Sequence, residues 1–246
     1  MTYALHVETS VRRPGRRFEP IQERALHADA LRVCEGLPGA SRGLVVVPEF
    51  VGPIGIPDFT AYVGPTSNLL DRQRIGVAPV VSDLDAGILS VAHVARPRSV
   101  DELASSLGWP AVRVTGRIRR LVAIGALIEA RTGAYVRPTQ IDASGRLYAI
   151  EAKVDDWRRA LRQVRTYRIW ADAYVIVMTG LSSRTKEALL AEVRRDRGGL
   201  VVDGEWLARP RIEVTDGWRR LQALELFAAS TEGGLVSPTL TSGPEA

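Results

Sequence analysis

The tightest constraint on the fold lies in residues Leu147 to Val154, LYAIEAKV, an apolar run of strand length carrying a glutamate and a lysine two residues apart. Side chains alternate faces along a β-strand, so Glu151 and Lys153 leave one side while Tyr148, Ile150, Ala152 and Val154 leave the other. A chain that places this run in a sheet must carry a charged pair on one face of a core strand. The choice of residue sharpens the constraint. Lysine and arginine together number 33, yet lysine occurs only at Lys153 and Lys186. Arginine stays protonated and is a wide planar fork, whereas a lysine ammonium is compact and shifts its pKa when partly buried, which suits orienting or deprotonating a water.

Other runs of strand character surround this one. Gly43 to Gly52, GLVVVPEFVG, is β-branched and carries Glu49; Ile56 to Val63, IPDFTAYV, carries Asp58 directly after Pro57. The turn Pro53-Ile54-Gly55 makes a hairpin of the two, which brings Glu49 and Asp58 towards one site. Tyr3 to Val7, Ala173 to Thr179 and Gly199 to Val202 complete the strands, and VRRPGRR near the N-terminus reads as a solvated leader. Helical periodicity appears from Phe18 to Glu35, with Ile21, Ala25, Ala28 and Val33 on one stripe and Glu23 on the same helix. It returns from Asp155 to Asp172, where Trp157, Ala160, Leu161, Val164 and Ala171 form the buried side and Trp170 is core. Gln163 and Tyr167 share a face there, and arginines 158, 159, 162, 165 and 168 cover the rest. Ser182 to Arg197 and Asp216 to Ala229 are further helices, Gly64 to Val81 reads as a linker, and the Ser/Thr/Gly/Pro tail from Ser230 to Ala246 as disordered.

Between the second and third of these strand runs the character changes. A helix over Asp83 to His93 is followed by one that starts at Ser99, with Glu102 three residues on as a capping box, and stops at Gly108. A third runs from Pro110 to Ala126, with Val114, Ile118, Leu121 and Val122 as its apolar stripe and Arg113, Arg117, Arg119 and Arg120 as its charges. Two short strands around Thr132-Gly133 follow. This stretch resembles bacterial winged helix-turn-helix domains. The resemblance implies that the third helix, with its four arginines, enters the major groove of DNA and that the hairpin touches the backbone.

Composition narrows the chemistry. A formal net charge of +5 suits polyanionic partners. One cysteine, Cys34, allows no disulfide within the chain, and His6, His27 and His93 are too scattered for a zinc site, so a metal here would be held by carboxylates. With 46% hydrophobic residues, no apolar run of membrane-spanning length and no signal-peptide layout, a cytoplasmic globular protein without a membrane partner is expected.

With the three-helix stretch set aside, the elements run helix, strand, strand, strand, helix, strand. They carry Glu23, Glu49, Pro57-Asp58, Glu151-Ala152-Lys153, and Gln163 with Tyr167. This series resembles the PD-(D/E)XK nuclease superfamily, and the Gln-x-x-x-Tyr helix its RecB-like branch. The resemblance implies an α/β, restriction-endonuclease-like core, a mixed central sheet flanked by helices, with an inserted winged-helix domain. Residues 1–70 and 139–229 would form the core, 71–138 the insert and 230–246 the tail. It further implies that Asp58, Glu151 and the Ala152 carbonyl bind Mg²⁺ or Mn²⁺, with Glu49 and Glu23 as additional acids. Lys153 would orient the attacking water, and Gln163 and Tyr167 would contact the substrate or brace the site. The expected activity is metal-dependent hydrolysis of DNA; RNA is a weaker substrate candidate. The alternative is a non-catalytic DNA-binding regulator that uses the nuclease-like core as a scaffold. The last helix, with Trp218, Leu221, Leu224 and Leu226, is expected either to form a homodimer interface or to cap the core.

Overall fold

The computed structural model describes residues 4–6, 26–141, 145–213, 215 and 217–231. The leader arginines, Glu23 and the tail from residue 232 lie outside them. In chain order the first elements are β1 (Ala4–His6), α1 (His27–Glu35), β2 (Leu44–Pro48), β3 (Phe59–Val63) and α2 (Ser67–Arg74). Then come α3 (Asp83–Val91), β4 (Arg98–Ser99), α4 (Val100–Leu107), α5 (Ala111–Ala123), β5 (Ile128–Arg131) and β6 (Ala134–Val136). The chain continues through β7 (Arg146–Lys153), α6 (Trp157–Tyr167), β8 (Ala173–Met178), α7 (Ser183–Arg195), β9 (Gly199–Val202), β10 (Glu205–Ala208) and α8 (Gly217–Thr231).

The architecture is α/β. A seven-stranded mixed sheet runs β1-β2-β3-β7-β8-β9-β10. The β2–β3, β3–β7 and β9–β10 pairs are antiparallel, while β1–β2, β7–β8 and β8–β9 are parallel. β7 is therefore central, and the expected alternation holds along it. Leu147 and Ala149 enter a core under α6, α7 and α8, whereas Tyr148, Ile150 and Ala152 enter a second core on the opposite face. Strand β2 divides in the same way, with Val45 and Val47 on the first side and Leu44 and Val46 on the second. Both faces of the sheet are buried, which is why these strands read as near-continuous apolar runs. Helix α1 covers the second face through Ala30, Val33 and Cys34, with Leu26 just ahead of it. Its buried stripe excludes Ala28, which is exposed: leucine and valine bury more apolar area than alanine, so they set the rotation of the helix.

The segment between neighbouring strands β3 and β7 holds helices α2 to α5 and a small sheet ordered β4-β6-β5. Its first part corrects the sequence reading. Residues 67–74 form α2 where a linker is expected, and Arg72 on that helix is buried, paired with Glu225 of α8 (Nη2 to Oε2, 2.6 Å). That pairing spans 153 residues and leaves no local trace. The capping box at Ser99 and Glu102 forms as the spacing predicts. Ile88, Leu103, Val114, Ile118 and Leu121 pack into a third core, which Leu221 of α8 joins. Trp218 lies against Gly87 and its indole N–H bonds the Asp83 carbonyl at 2.8 Å. Helix α8 therefore straddles the large sheet and the three-helix segment, and its Leu221 and Leu224 are buried within the chain. Among the described residues, no helix is long and apolar enough to cross a membrane.

Candidate functional site

The hairpin geometry places the first acid. Strand β2 ends at Pro48, Glu49 adopts a left-handed φ of 47°, and the chain leaves the sheet before re-entering as β3. Asp58 immediately precedes β3, and because Phe59 pairs with Ile150, Asp58 falls beside Glu151. The Ala152 N–H donates to Asp58 Oδ2 at 2.8 Å, locking that carboxylate onto β7. Two residues along from Glu151, the Lys153 ammonium reaches Glu151 Oε1 at 3.0 Å and Asp58 Oδ2 at 3.8 Å, and donates to the Ala152 carbonyl at 3.2 Å. Relative exposures are 0% for Glu151, 3% for Asp58 and 7% for Lys153. Two carboxylates and an ammonium thus converge at the end of a core strand, a costly arrangement that persists only when the charges offset one another.

Helix α6 closes the cluster. Asp156, left-handed at φ 43°, caps it by accepting from the Arg159 N–H at 3.0 Å. One helical face then carries Tyr167 to Glu151 Oε2, at 3.1 Å, and to the Ile56 carbonyl, at 3.2 Å. A phenol has one proton for these two acceptors. Trp170 donates to the Ile54 carbonyl at 3.0 Å, so the loop between Glu49 and Asp58 is pinned by two aromatic side chains. Gly55 permits this: it holds φ 78°, and a Cβ there would lie 2.6 Å from the Tyr167 ring. The amide of Gln163 bonds the Tyr167 hydroxyl, while its buried Oε1 has no hydrogen-bond partner among the described residues.

Electrostatics follow from this packing. Burial pushes the Glu151 carboxyl up from its ordinary 4.5 to about 7, and the Asp58 charge adds to the rise; Lys153 and the Tyr167 hydroxyl oppose it. Burial, then the Glu151 charge, raises the Tyr167 phenol well above its usual range, so it keeps its proton and donates it while its oxygen accepts from the Gln163 amide. Glu151 Oε1 has ion-pair compensation from Lys153 at 3.0 Å and, among the described residues, no donor of aligned geometry.

Of the residues expected at this site, Asp58, Glu151, Ala152, Lys153, Gln163 and Tyr167 are brought together. Glu49 is joined to Asp58 through its backbone, N–H to carbonyl at 2.9 Å, and its side chain is exposed. Among the described residues, no group of three or more His, Cys, Asp or Glu side chains is assembled to hold a metal ion. Asp58, Glu151 and the Ala152 carbonyl offer only oxygen donors, the kind that Mg²⁺ takes, and the Lys153 ammonium lies against all three. The buried Glu151 Oε1 without an aligned donor fits the same role.

The four arginines of α5 divide into two kinds. Arg113 and Arg119 are exposed. Arg117 reaches Asp85 of α3 at 3.3 Å and Ser82 Oγ at 3.4 Å, and Arg120 lies 3.8 Å from Asp85. Asp85 is almost fully buried and was not singled out in the sequence; an acid in a first helical turn reads locally as a dipole partner, and nothing marks a guanidinium 32 residues away. Comparison with protein-family models, curated proteins and solved structures finds no match to this chain.

Proposed function

We propose that this protein is a metal-dependent deoxyribonuclease with a restriction-endonuclease-like core, into which a winged-helix unit between β3 and β7 is inserted to position DNA. The observation that carries the reading is the buried convergence of Asp58, Glu151 and Lys153 on the central strand, in a chain that otherwise writes arginine almost everywhere.

Each side chain has a part to play. Asp58 and Glu151, with the Ala152 carbonyl, would hold Mg²⁺ or Mn²⁺, which when bound neutralises phosphoryl oxygens and makes water a better nucleophile at neutral pH. Lys153, 3.0 Å from Glu151 and beside the Ala152 carbonyl, would orient the attacking water and take up developing negative charge. Tyr167 holds the Glu151 carboxylate, and Gln163 holds Tyr167. Ile54 and Ile56, through their carbonyls, fasten the Asp58 loop to Trp170 and to Tyr167 at the end of α6 and so keep the two acids in register. The exposed Arg113 and Arg119 on α5 suit phosphate or base contacts in duplex DNA.

The test is incubation of the purified chain with supercoiled plasmid, linear duplex and single-stranded DNA, with Mg²⁺, Mn²⁺ or EDTA, beside Glu151→Ala. Metal-dependent cutting that the variant loses supports the nuclease. Tight duplex binding with no cutting in any metal would replace it with the non-catalytic regulator.

A further inference from the structure

At the other end of the sheet from Lys153 lies a cavity of about 280 Å³. Ala173 pairs with Tyr148 and Met178 with Lys153, so five strand residues, roughly 16 Å, separate the two places. The cavity is bounded by the end of α6, the turn after α7, and Arg211, Glu213 and Thr215. Three acids line it, and all three are neutralised from within the fold. Asp172 accepts from Arg220 Nε at 2.7 Å and from the Leu147 N–H at 2.8 Å. Asp196 accepts from Arg165 Nε at 2.6 Å and from the Tyr174 hydroxyl at 3.1 Å, and Glu213 pairs with Arg168.

Arg197 and Arg211 also line the cavity, and their guanidinium groups have no partner among the described residues. They are held side by side: Arg197 takes a left-handed φ of 56°, and its carbonyl accepts the Arg211 N–H at 2.9 Å. On the same wall, the buried Thr215 Oγ1 has no hydrogen-bond partner among the described residues. Among the described residues uncompensated donors therefore outnumber acceptors, and the surplus is two positive charges. Ile169, 42% exposed, supplies an apolar patch at the same cavity.

We infer that this cavity binds a small phosphate monoester of the mononucleotide type, its phosphate on Arg197 and Arg211 and its body against Ile169. A carboxylate is satisfied by one guanidinium fork, whereas a phosphate dianion presents three oxygens that match two forks and a hydroxyl. The volume stands at the small end of small-molecule sites, which fits a monomer and not a polymer. The site is independent of the Asp58–Glu151–Lys153 cluster and of the activity proposed for it.

The experiment titrates the full chain in EDTA with deoxyadenosine monophosphate, inorganic phosphate and unphosphorylated deoxyadenosine, by calorimetry and by thermal melting. Saturable binding of the monophosphate, weaker binding of phosphate alone and none of the nucleoside are expected. Arg197→Ala with Arg211→Ala should weaken monophosphate binding roughly tenfold or more while leaving the ligand-free melting temperature in place, since both side chains are exposed. Lys153→Ala should bind as the native chain does. The inference is overturned if neither phosphate compound binds, if the nucleoside binds equally well, if the arginine double variant keeps native affinity, or if Lys153→Ala abolishes binding.

Discussion

Replacing Tyr167 by Phe removes one oxygen and leaves the ring against Gly55 and Trp170. What is lost is the bond to Glu151 Oε2 at 3.1 Å, the shared contact with the Ile56 carbonyl and the acceptor of the Gln163 amide. A hydrogen bond to a charged group contributes about 1.5–3 kcal/mol, and one between neutral groups about 0.5–1.5 kcal/mol. The size of the loss therefore depends on the charge of Glu151. Its carboxyl is raised from 4.5 to about 7 in the folded chain, so between those values the native state holds a proton that the unfolded state has released. The corresponding stability is fully present below pH 4.5 and disappears as pH rises through about 7. The Tyr167 hydroxyl favours the carboxylate, so Tyr167→Phe raises the folded pKa further and extends the decline to higher pH. At roughly 2–4 °C per kcal/mol for a chain of this size, the variant should melt about 3–12 °C below the native protein at pH 8.5 and only about 1–6 °C below it at pH 5.5. Thermal melting of both proteins across that range in EDTA reads this directly. A deficit that is the same at both ends, or larger in acid, would refute the assignment of Glu151 as the group that Tyr167 stabilises.

Other perturbations separate the remaining parts. Glu225→Ala strands the buried Arg72 guanidinium and should cost about 3–5 kcal/mol in chemical unfolding, whereas Arg72→Met with Glu225→Leu should recover most of it; a single-variant loss below about 1 kcal/mol would show the pair to be unimportant. Lys153→Ala and Asp58→Ala should each abolish metal-dependent cleavage in a plasmid assay while leaving duplex affinity within about threefold, since phosphate contacts elsewhere dominate affinity; cleavage retained by both would remove them from the active site. Arg113→Ala with Arg119→Ala should lower the slope of log affinity against log salt by about 2, read by fluorescence anisotropy, and an unchanged slope would take α5 off the DNA. By contrast, Arg117→Ala should depress the melting temperature by a few degrees, roughly 1 kcal/mol, because it loosens the buried Asp85.

Strand identity and facing were legible because they are local. Alternation along LYAIEAKV is set by backbone pleat, so Glu151 and Lys153 had to share a face whatever the rest of the chain did. The Ser99–Glu102 capping box is likewise contained in four residues. Where local signals are weak the reading slipped. Alanine at 28 satisfies a helical period but buries too little area to hold the stripe, and residues 67–74, polar with few apolar positions, became a helix because Leu69 and the Arg72–Glu225 pair are buried there. Strand β10, four residues after a turn at Asp203-Gly204, carried no periodicity of its own and exists by pairing with β9.

Residue type alone set which side chains could serve as acids and as an ammonium, and a period of two set the common face of β7 for Glu151 and Lys153. Tertiary structure alone decided their company. Tyr167 meets Ile56 across 111 residues, Ala152 meets Asp58 across 94 and Arg117 meets Asp85 across 32, and each meeting follows from strand order and helix packing. The same holds for charge: that burial pushes Glu151 up to about 7, and that Arg197 and Arg211 have no partner among the described residues, follows from packing and from which acids other arginines have already taken. Desolvation and pairing are properties of a neighbourhood, and a neighbourhood is assembled only when distant segments pack.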